Sequence, residues 1–120
     1  MSVKQFFTSV SYAIRGAKRL WQTEQNFRLQ LFAGLIVLIL AFLFPFETWE
    51  RIVFILLIAM VLILEAINSV FERLVDVLKS RIHPSVRDMK DIMAAAVLVS
   101  AVVAVIVGAI LFVPMIKNYL

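Results

Sequence analysis

The sequence predicts an all-α membrane protein, with an N-terminal amphipathic surface helix followed by three transmembrane helices. Three observations carry this. Of its 120 residues, 63% are hydrophobic, and the mean hydropathy is +1.01, whereas a soluble domain is nearer half apolar. Long apolar segments occur at Leu31–Phe46, from Ile52 to Phe71, and at Ile92–Ile116. Each is near the roughly 20 residues that cross a hydrocarbon core as a helix. The basic residues, finally, gather on alternate sides of these segments.

The elements follow in order. In the first, Phe6, Val10, Ala13, Ile14, Ala17, Leu20 and Trp21 recur at helical spacing, with Arg15, Lys18 and Arg19 off that stripe. The pattern makes residues 1–28 an amphipathic helix on the inner leaflet, or one packed on the bundle. It is not a signal peptide, since it has no apolar core of the needed length and no small-residue cleavage site. It leads through Glu24 into a first span over 29–46, which Pro45 ends. The short link Glu47–Arg51 makes the first and second spans an antiparallel hairpin. The second span covers 52–71, interrupted by Glu65 and Asn68, and the third covers 92–116 without a charge. The whole chain, 1–120, reads as one membrane domain.

Charge gives the orientation. Lys4, Arg15, Lys18, Arg19 and Arg28 precede the first span, and Arg73, Lys79, Arg81, Arg87 and Lys90 lie between the second and third. Arg51 and Lys117 are the basic residues on the other side. The positive-inside rule places the N-terminus and the 72–91 segment in the cytosol and the C-terminus outside. The net charge of +4 is accounted for in this way, without nucleic acid as a partner.

Composition excludes several chemistries. There is no cysteine and one histidine, so thiolate zinc sites, cysteine nucleophiles and multi-histidine centres are out. Gly16, Gly34 and Gly108 cannot form a glycine-rich phosphate loop. A bound nucleotide would be held by side chains and metal.

One helix face carries the chemistry. Glu65, Asn68, Glu72 and Asp76 fall within roughly an 80° arc of the second helix. With the membrane boundary near Phe71, Glu65 lies about 10 Å inside it. Carboxylates at membrane depth are usually paired, metal-bound or catalytic. Glu24 and Glu72 both lie near the inner interface, where they are able to meet. Mg²⁺ takes one or two protein carboxylates and completes its shell with phosphate and water. Lys90 and Asp91 stand at the mouth of the third span, in the expected first turn of its helix, where a lysine and a helix N-terminus favour phosphate. These are parts that phosphoryl transfer needs.

Each residue alone has a plainer explanation. Glu72 with Arg73, or Asp76 with Lys79, reads as solvated charges at a helix end. Glu65 serves equally as an interhelical partner, Glu24 has basic neighbours to pair with, and His83 before Pro84 marks a loop. A non-enzymatic transport or channel subunit would also use an intramembrane Glu65. Only the conjunction of Glu24, Glu65, Asn68, Glu72, Lys90 and Asp91 favours a metal or acid–base site at the membrane interface.

The stretch EAINSVFERLVD, Glu65 to Asp76, followed by KDIMAAAV, Lys90 to Val97, resembles the signature of the small bacterial integral-membrane lipid kinases. That family holds the prokaryotic diacylglycerol kinases and the undecaprenol kinases, with the pattern E-x-x-N-[TS]-A-[IV]-E-x-x-V-D, then K-D-x-x-[AS]-A-[AG]-V. The resemblance implies an ATP-dependent lipid kinase of the bacterial inner membrane, working with Mg²⁺ in phospholipid or lipid-carrier metabolism. It implies Glu65 as the base that takes the lipid hydroxyl proton, and Glu24 and Glu72 as the metal carboxylates. It places Lys90 and Asp91 on ATP, with Tyr12 and His83 near the nucleotide, and makes Asn68 and Asp76 site-shaping polar residues. It further implies a homotrimer with active sites shared between subunits.

The chain departs from the pattern at Val70 and Phe71, both larger than the usual residues, and has Gln5 where the family carries an arginine on its first helix. The run Glu24-Gln25-Asn26-Phe27, the pair His83-Pro84 and Phe112-Val113-Pro114 look more like the undecaprenol-kinase branch. Undecaprenol is therefore the expected acceptor and diacylglycerol the alternative.

Overall fold

The computed structural model describes residues 1–78 and 84–120. Among them the order is α1 (Val3–Thr23), α2 (Gln25–Leu43), α3 (Thr48–Val77) and α4 (Pro84–Tyr119), with no strand. The α2, α3 and α4 helices are each long and apolar enough to cross a membrane. The fold is thus the expected one, with α3 packed between α2 and α4.

The helix ends differ from the sequence expectation for identifiable reasons. Pro45 pushes Phe44 into an extended conformation, φ −83° and ψ 153°, so α2 stops at Leu43 and not at Phe46. Phe46 then folds back into the bundle and is buried. The α3 helix begins at Thr48, four residues before its apolar run, because the Glu50 side chain accepts from the Glu47 amide at 2.8 Å and caps the first turn. The α4 helix begins at Pro84, well ahead of Ile92, since proline is favoured in the first turn of a helix.

The α1 helix opens with a capping box. Gln5 N donates to Ser2 Oγ at 3.1 Å, and Ser2 N donates to Gln5 Oε1 at 2.9 Å. Gln5, where the family pattern has an arginine, is thus engaged in starting the helix. No residue of α1 is buried, and Phe6, Phe7 and Ile14 present their apolar sides outward. Gly16, Arg19 and Leu20 of this helix face Ala66, Ser69, Val70 and Arg73 of α3 across a small crevice.

Packing is strongest at the end away from α1. Phe46, Phe54 and Phe112 form a triangle with centroids 4.9–5.1 Å apart. Arg51 closes the same end by donating to Ala41 O at 2.9 Å and Phe44 O at 3.1 Å. The one basic residue of this turn therefore satisfies the Ala41 carbonyl, which the end of α2 leaves without a backbone donor, and adds a second bond to Phe44 O, which also accepts from Phe46 N at 2.8 Å. Nearer the middle, Gly34 lets α2 and α3 approach closely. A Cβ there would stand 2.9 Å from Ile58 Cγ2. Apolar side chains such as Leu35, Ile39 and Ile55 face outward, as lipid-exposed residues do, while the buried residues of α3 are Phe54 and then Glu65, Asn68 and Ser69.

Candidate active site at the inner end of the bundle

The site is built on an elbow. Glu24 has φ −114° and ψ 104°, which breaks the helix between α1 and α2. Its main chain finishes one helix and starts the next. Glu24 N donates to Leu20 O at 2.9 Å, and Arg28 N donates to Glu24 O at 3.2 Å. Arg28 Nη1 also donates to Trp21 O at 2.6 Å, capping the last turn of α1. The surface helix and the first span are thus separate helices, and Glu24 is free of either to turn its carboxylate toward α3.

On α3, Ser69 Oγ donates to Glu24 Oε1 at 2.8 Å. Arg73 Nη2 lies 3.8 Å from the same oxygen and donates to Thr23 Oγ1 at 2.6 Å. Asn68 Nδ2 donates to Glu72 Oε1 at 3.2 Å. The partner of Glu72 is therefore Asn68, one turn back on its own helix, and Arg73 reaches across to the elbow.

Deeper in the bundle, Glu65 is only 2% exposed. The Gln30 side chain of α2 lies beside its carboxylate. Glu65 Oε2 and Gln30 Oε1 are both buried without a hydrogen-bond partner. A buried unsatisfied polar atom costs about 1–3 kcal/mol. Both atoms are acceptors when Glu65 is ionised, so what the pair lacks is a proton donor.

Gln30 also lines one end of an apolar crevice of about 430 Å³ between α2, α3 and α4. Gly34, Ala101, Ala104 and Gly108 open it by their small size, and Phe54 and Phe112 close its far end. Its walls are apolar apart from Gln30.

The remaining expected residues lie further out. Asp76 is exposed on the last turn of α3. Lys90 and Asp91 are exposed in the second turn of α4, not the first, because the helix already starts at Pro84. Their backbone amides lie beyond the open first turn, so an N-terminal phosphate cradle is not available to them. Tyr12 is exposed on α1, with the Arg15 guanidinium 5.5 Å above its ring. His83 lies outside the described residues.

Mg²⁺ fits this donor set. Among the described residues, no three carboxylate or histidine side chains gather closely enough to hold an ion unaided. One or two carboxylates completed by phosphate oxygens is the usual arrangement for Mg²⁺, and Glu24 and Glu72 offer hard oxygen donors of that kind.

Sequence reasoning missed Gln30, Thr23, Ser69 and Arg73 as participants. Ser69 carried a signal, since it is a hydroxyl in an apolar helix about 40° from Glu65 on the helical wheel. Gln30 carried one too, as an amide within a span. Thr23 and Arg73 carried none, because their pairing depends on the fold of the elbow.

Comparison with known proteins bears on the family of the chain. The family profile described as prokaryotic diacylglycerol kinase matches residues 11–112. An undecaprenol kinase from Bacillus subtilis is 36% identical over 112 residues, covering 93% of this chain and 91% of that protein. A diacylglycerol kinase from Synechocystis is 36% identical over 107 residues, 88% of this chain and 61% of its own length. The diacylglycerol kinase of Escherichia coli is 32% identical over 103 residues, 86% and 84% of the two chains.

Proposed function

Because the chain belongs to the prokaryotic diacylglycerol kinase family, we propose that it transfers the γ-phosphoryl group of ATP to the hydroxyl of a membrane lipid alcohol, with undecaprenol preferred. The observation that carries this reading is the pair of buried, unpartnered acceptors Glu65 Oε2 and Gln30 Oε1, of which Gln30 also lines an apolar crevice between the spans. An alcohol with a long apolar tail supplies the missing donor and fills the crevice.

In the reaction, Glu65 takes the hydroxyl proton as the lipid oxygen bonds to the γ-phosphorus. The bond from that phosphorus to the bridging oxygen breaks, and ADP leaves with the electron pair. Gln30 orients the hydroxyl. Glu24 and Glu72 would hold Mg²⁺, which neutralises phosphate charge when bound. Asn68 fixes Glu72 by its hydrogen bond, and Asp76 extends the acidic stripe toward the cytosol. Lys90 and Asp91 hold the nucleotide through their side chains, with Tyr12 and His83 beside it.

The site faces the cytosol of a bacterial inner membrane in this reading, supported by the basic residues around α1 and the start of α4. The C-terminus then lies outside, and the active protein is a homotrimer. The 1–120 chain is one catalytic domain. Undecaprenol is favoured by the Bacillus subtilis relative, and diacylglycerol is the second reading, favoured by the Escherichia coli and Synechocystis relatives.

The test is purified protein in mixed micelles with labelled ATP, Mg²⁺ and equal mole fractions of undecaprenol, diacylglycerol or glycerol. The expected order is undecaprenol above diacylglycerol, with glycerol almost inert. Preference for diacylglycerol would overturn the acceptor assignment. Equal use of glycerol would overturn the access of the acceptor from the bilayer.

A further inference from the structure

The elbow at Glu24 is held at two points, and the two holds are chemically different. Ser69 donates directly to Glu24 Oε1 at 2.8 Å. Arg73, one helical turn further along α3, does not hydrogen-bond the carboxylate. Its Nη2 stands 3.8 Å from Oε1, and its short bond, 2.6 Å, goes to Thr23 Oγ1. Thr23 in turn donates to Arg19 O at 2.7 Å. The hydroxyl therefore spends its proton on α1 and offers a lone pair to the guanidinium. Thr23 anchors Arg73 at a set distance from the carboxylate next to it in the chain.

We propose that Thr23 and Arg73 form a charge spacer that positions Glu24 for a divalent cation and sets its affinity. The inference rests on the reading of Glu24 as a metal carboxylate. A guanidinium that paired directly with Glu24 would have to be displaced before an ion could bind. Held off by Thr23, it neutralises part of the acidic charge in the absence of metal, yet leaves the carboxylate one hydrogen bond, from Ser69, and an open approach. Both Thr23 and Arg73 are exposed, so neither is needed to fill the interior. Arg73 is 45% exposed, so solvent screens its charge and its influence is modest.

This arrangement predicts shifts of opposite sign. Without the threonine hydroxyl, Arg73 closes on Glu24 and competes with the ion. Without the guanidinium, a repelling charge is lost. A merely structural role for the same contacts would move both variants in one direction.

The experiment is Mn²⁺ binding to the full-length protein in detergent micelles, with a non-hydrolysable ATP analogue present, read by electron paramagnetic resonance. Thr23→Val should weaken Mn²⁺ binding by about threefold or more, and Arg73→Gln should tighten it by about three- to tenfold. Thr23→Ser keeps the hydroxyl and should restore the parent affinity. The Thr23→Val/Arg73→Gln double variant should bind like Arg73→Gln alone. Arg73→Met, which keeps the aliphatic stem, serves in place of Arg73→Gln if that variant does not fold. Shifts in the same direction, or none, overturn the spacer while leaving the kinase reading intact. Glu24→Gln is the control. If it leaves Mn²⁺ binding unchanged, the metal reading of Glu24 falls and the inference with it.

Discussion

The Ser69 hydroxyl donates to Glu24 Oε1 at 2.8 Å, across 45 residues of sequence. It ties the α1–α2 elbow to the helix that carries the buried Glu65. Ser69 is 2% exposed, and a hydrogen bond to a charged group contributes about 1.5–3 kcal/mol. Ser69→Ala should therefore raise the apparent KM for Mg²⁺ by roughly tenfold or more. Ser69→Thr, which keeps the hydroxyl, should stay close to the parent. Steady-state kinetics at saturating lipid will decide. An unchanged KM in Ser69→Ala would mean that the bond serves only packing.

Glu65→Gln keeps the shape of the buried carboxyl and removes the proton acceptor. The expected loss in turnover is about 10²–10⁴, with binding of a non-hydrolysable nucleotide retained, because Glu65 lies too deep to touch ATP. Single-turnover measurement with undecaprenol separates the two effects. Near-normal chemistry in the folded variant would remove Glu65 from the role of base.

Much of this was legible in the sequence because membrane helices announce themselves by length and charge. The three spans, the break at Pro45 and the stripe from Glu65 to Asp76 follow from periodicity alone. The helix ends were misplaced where local chemistry overrode hydropathy. Glu47 and Glu50 cap α3 four residues before its apolar run, and Pro84 starts α4 before Lys90. The pairing of the elbow with Ser69 and Arg73 was not legible, because it joins side chains 45 and 50 residues apart. No pattern of spacing on one helix encodes a contact of that kind.

Gly34 stands at a close approach of α2 to α3. A Cβ at that position would meet Ile58 Cγ2 at 2.9 Å, and a β-branched methyl cannot swing aside freely. Gly34→Ala should destabilise the bundle by about 1–2 kcal/mol, since overpacking costs about 1–3 kcal/mol and the helix gains less than about 1 from alanine. Adding Ile58→Ala removes the methyl and should recover part of the loss that Gly34→Ala causes in an Ile58 background. A double-mutant cycle by reversible unfolding in mixed micelles will show the coupling. Additive effects would mean that the two helices separate without cost.

Arg51 closes α2 through Ala41 O and Phe44 O. Arg51→Gln should cost about 1–2 kcal/mol in stability as those carbonyls lose a charged donor. The affinity for ATP should not change, because the turn lies at the end of the bundle opposite Glu24. Thermal unfolding in detergent alongside nucleotide titration gives both readings. A parallel loss of nucleotide binding would show that the two ends are coupled.

The last prediction concerns which residues one chain shares with another. Glu24 bonds to Ser69 of its own chain, one turn from Glu65 on α3, and Glu72 is bonded to Asn68 of the same helix. In the proposed kinase these three carboxylates belong to one half-site. Lys90 and Asp91 are exposed, and among the described residues neither side chain makes a hydrogen bond or ion pair. In a homotrimer they are free to complete the half-site of a neighbour. Mixing inactive Glu65→Gln with inactive Asp91→Asn should then restore activity. A random one-to-one mixture leaves about a quarter of sites with both parent residues, so recovery should approach about a quarter of parent activity. Mixing Glu24→Gln with Glu65→Gln should restore little, because every site then draws both residues from one defective chain. Recovery is measured after co-refolding into mixed trimers verified by differential tags. Absence of rescue in the first mixture would place Asp91 in the same chain's site. Rescue in the second would split the carboxylates between subunits.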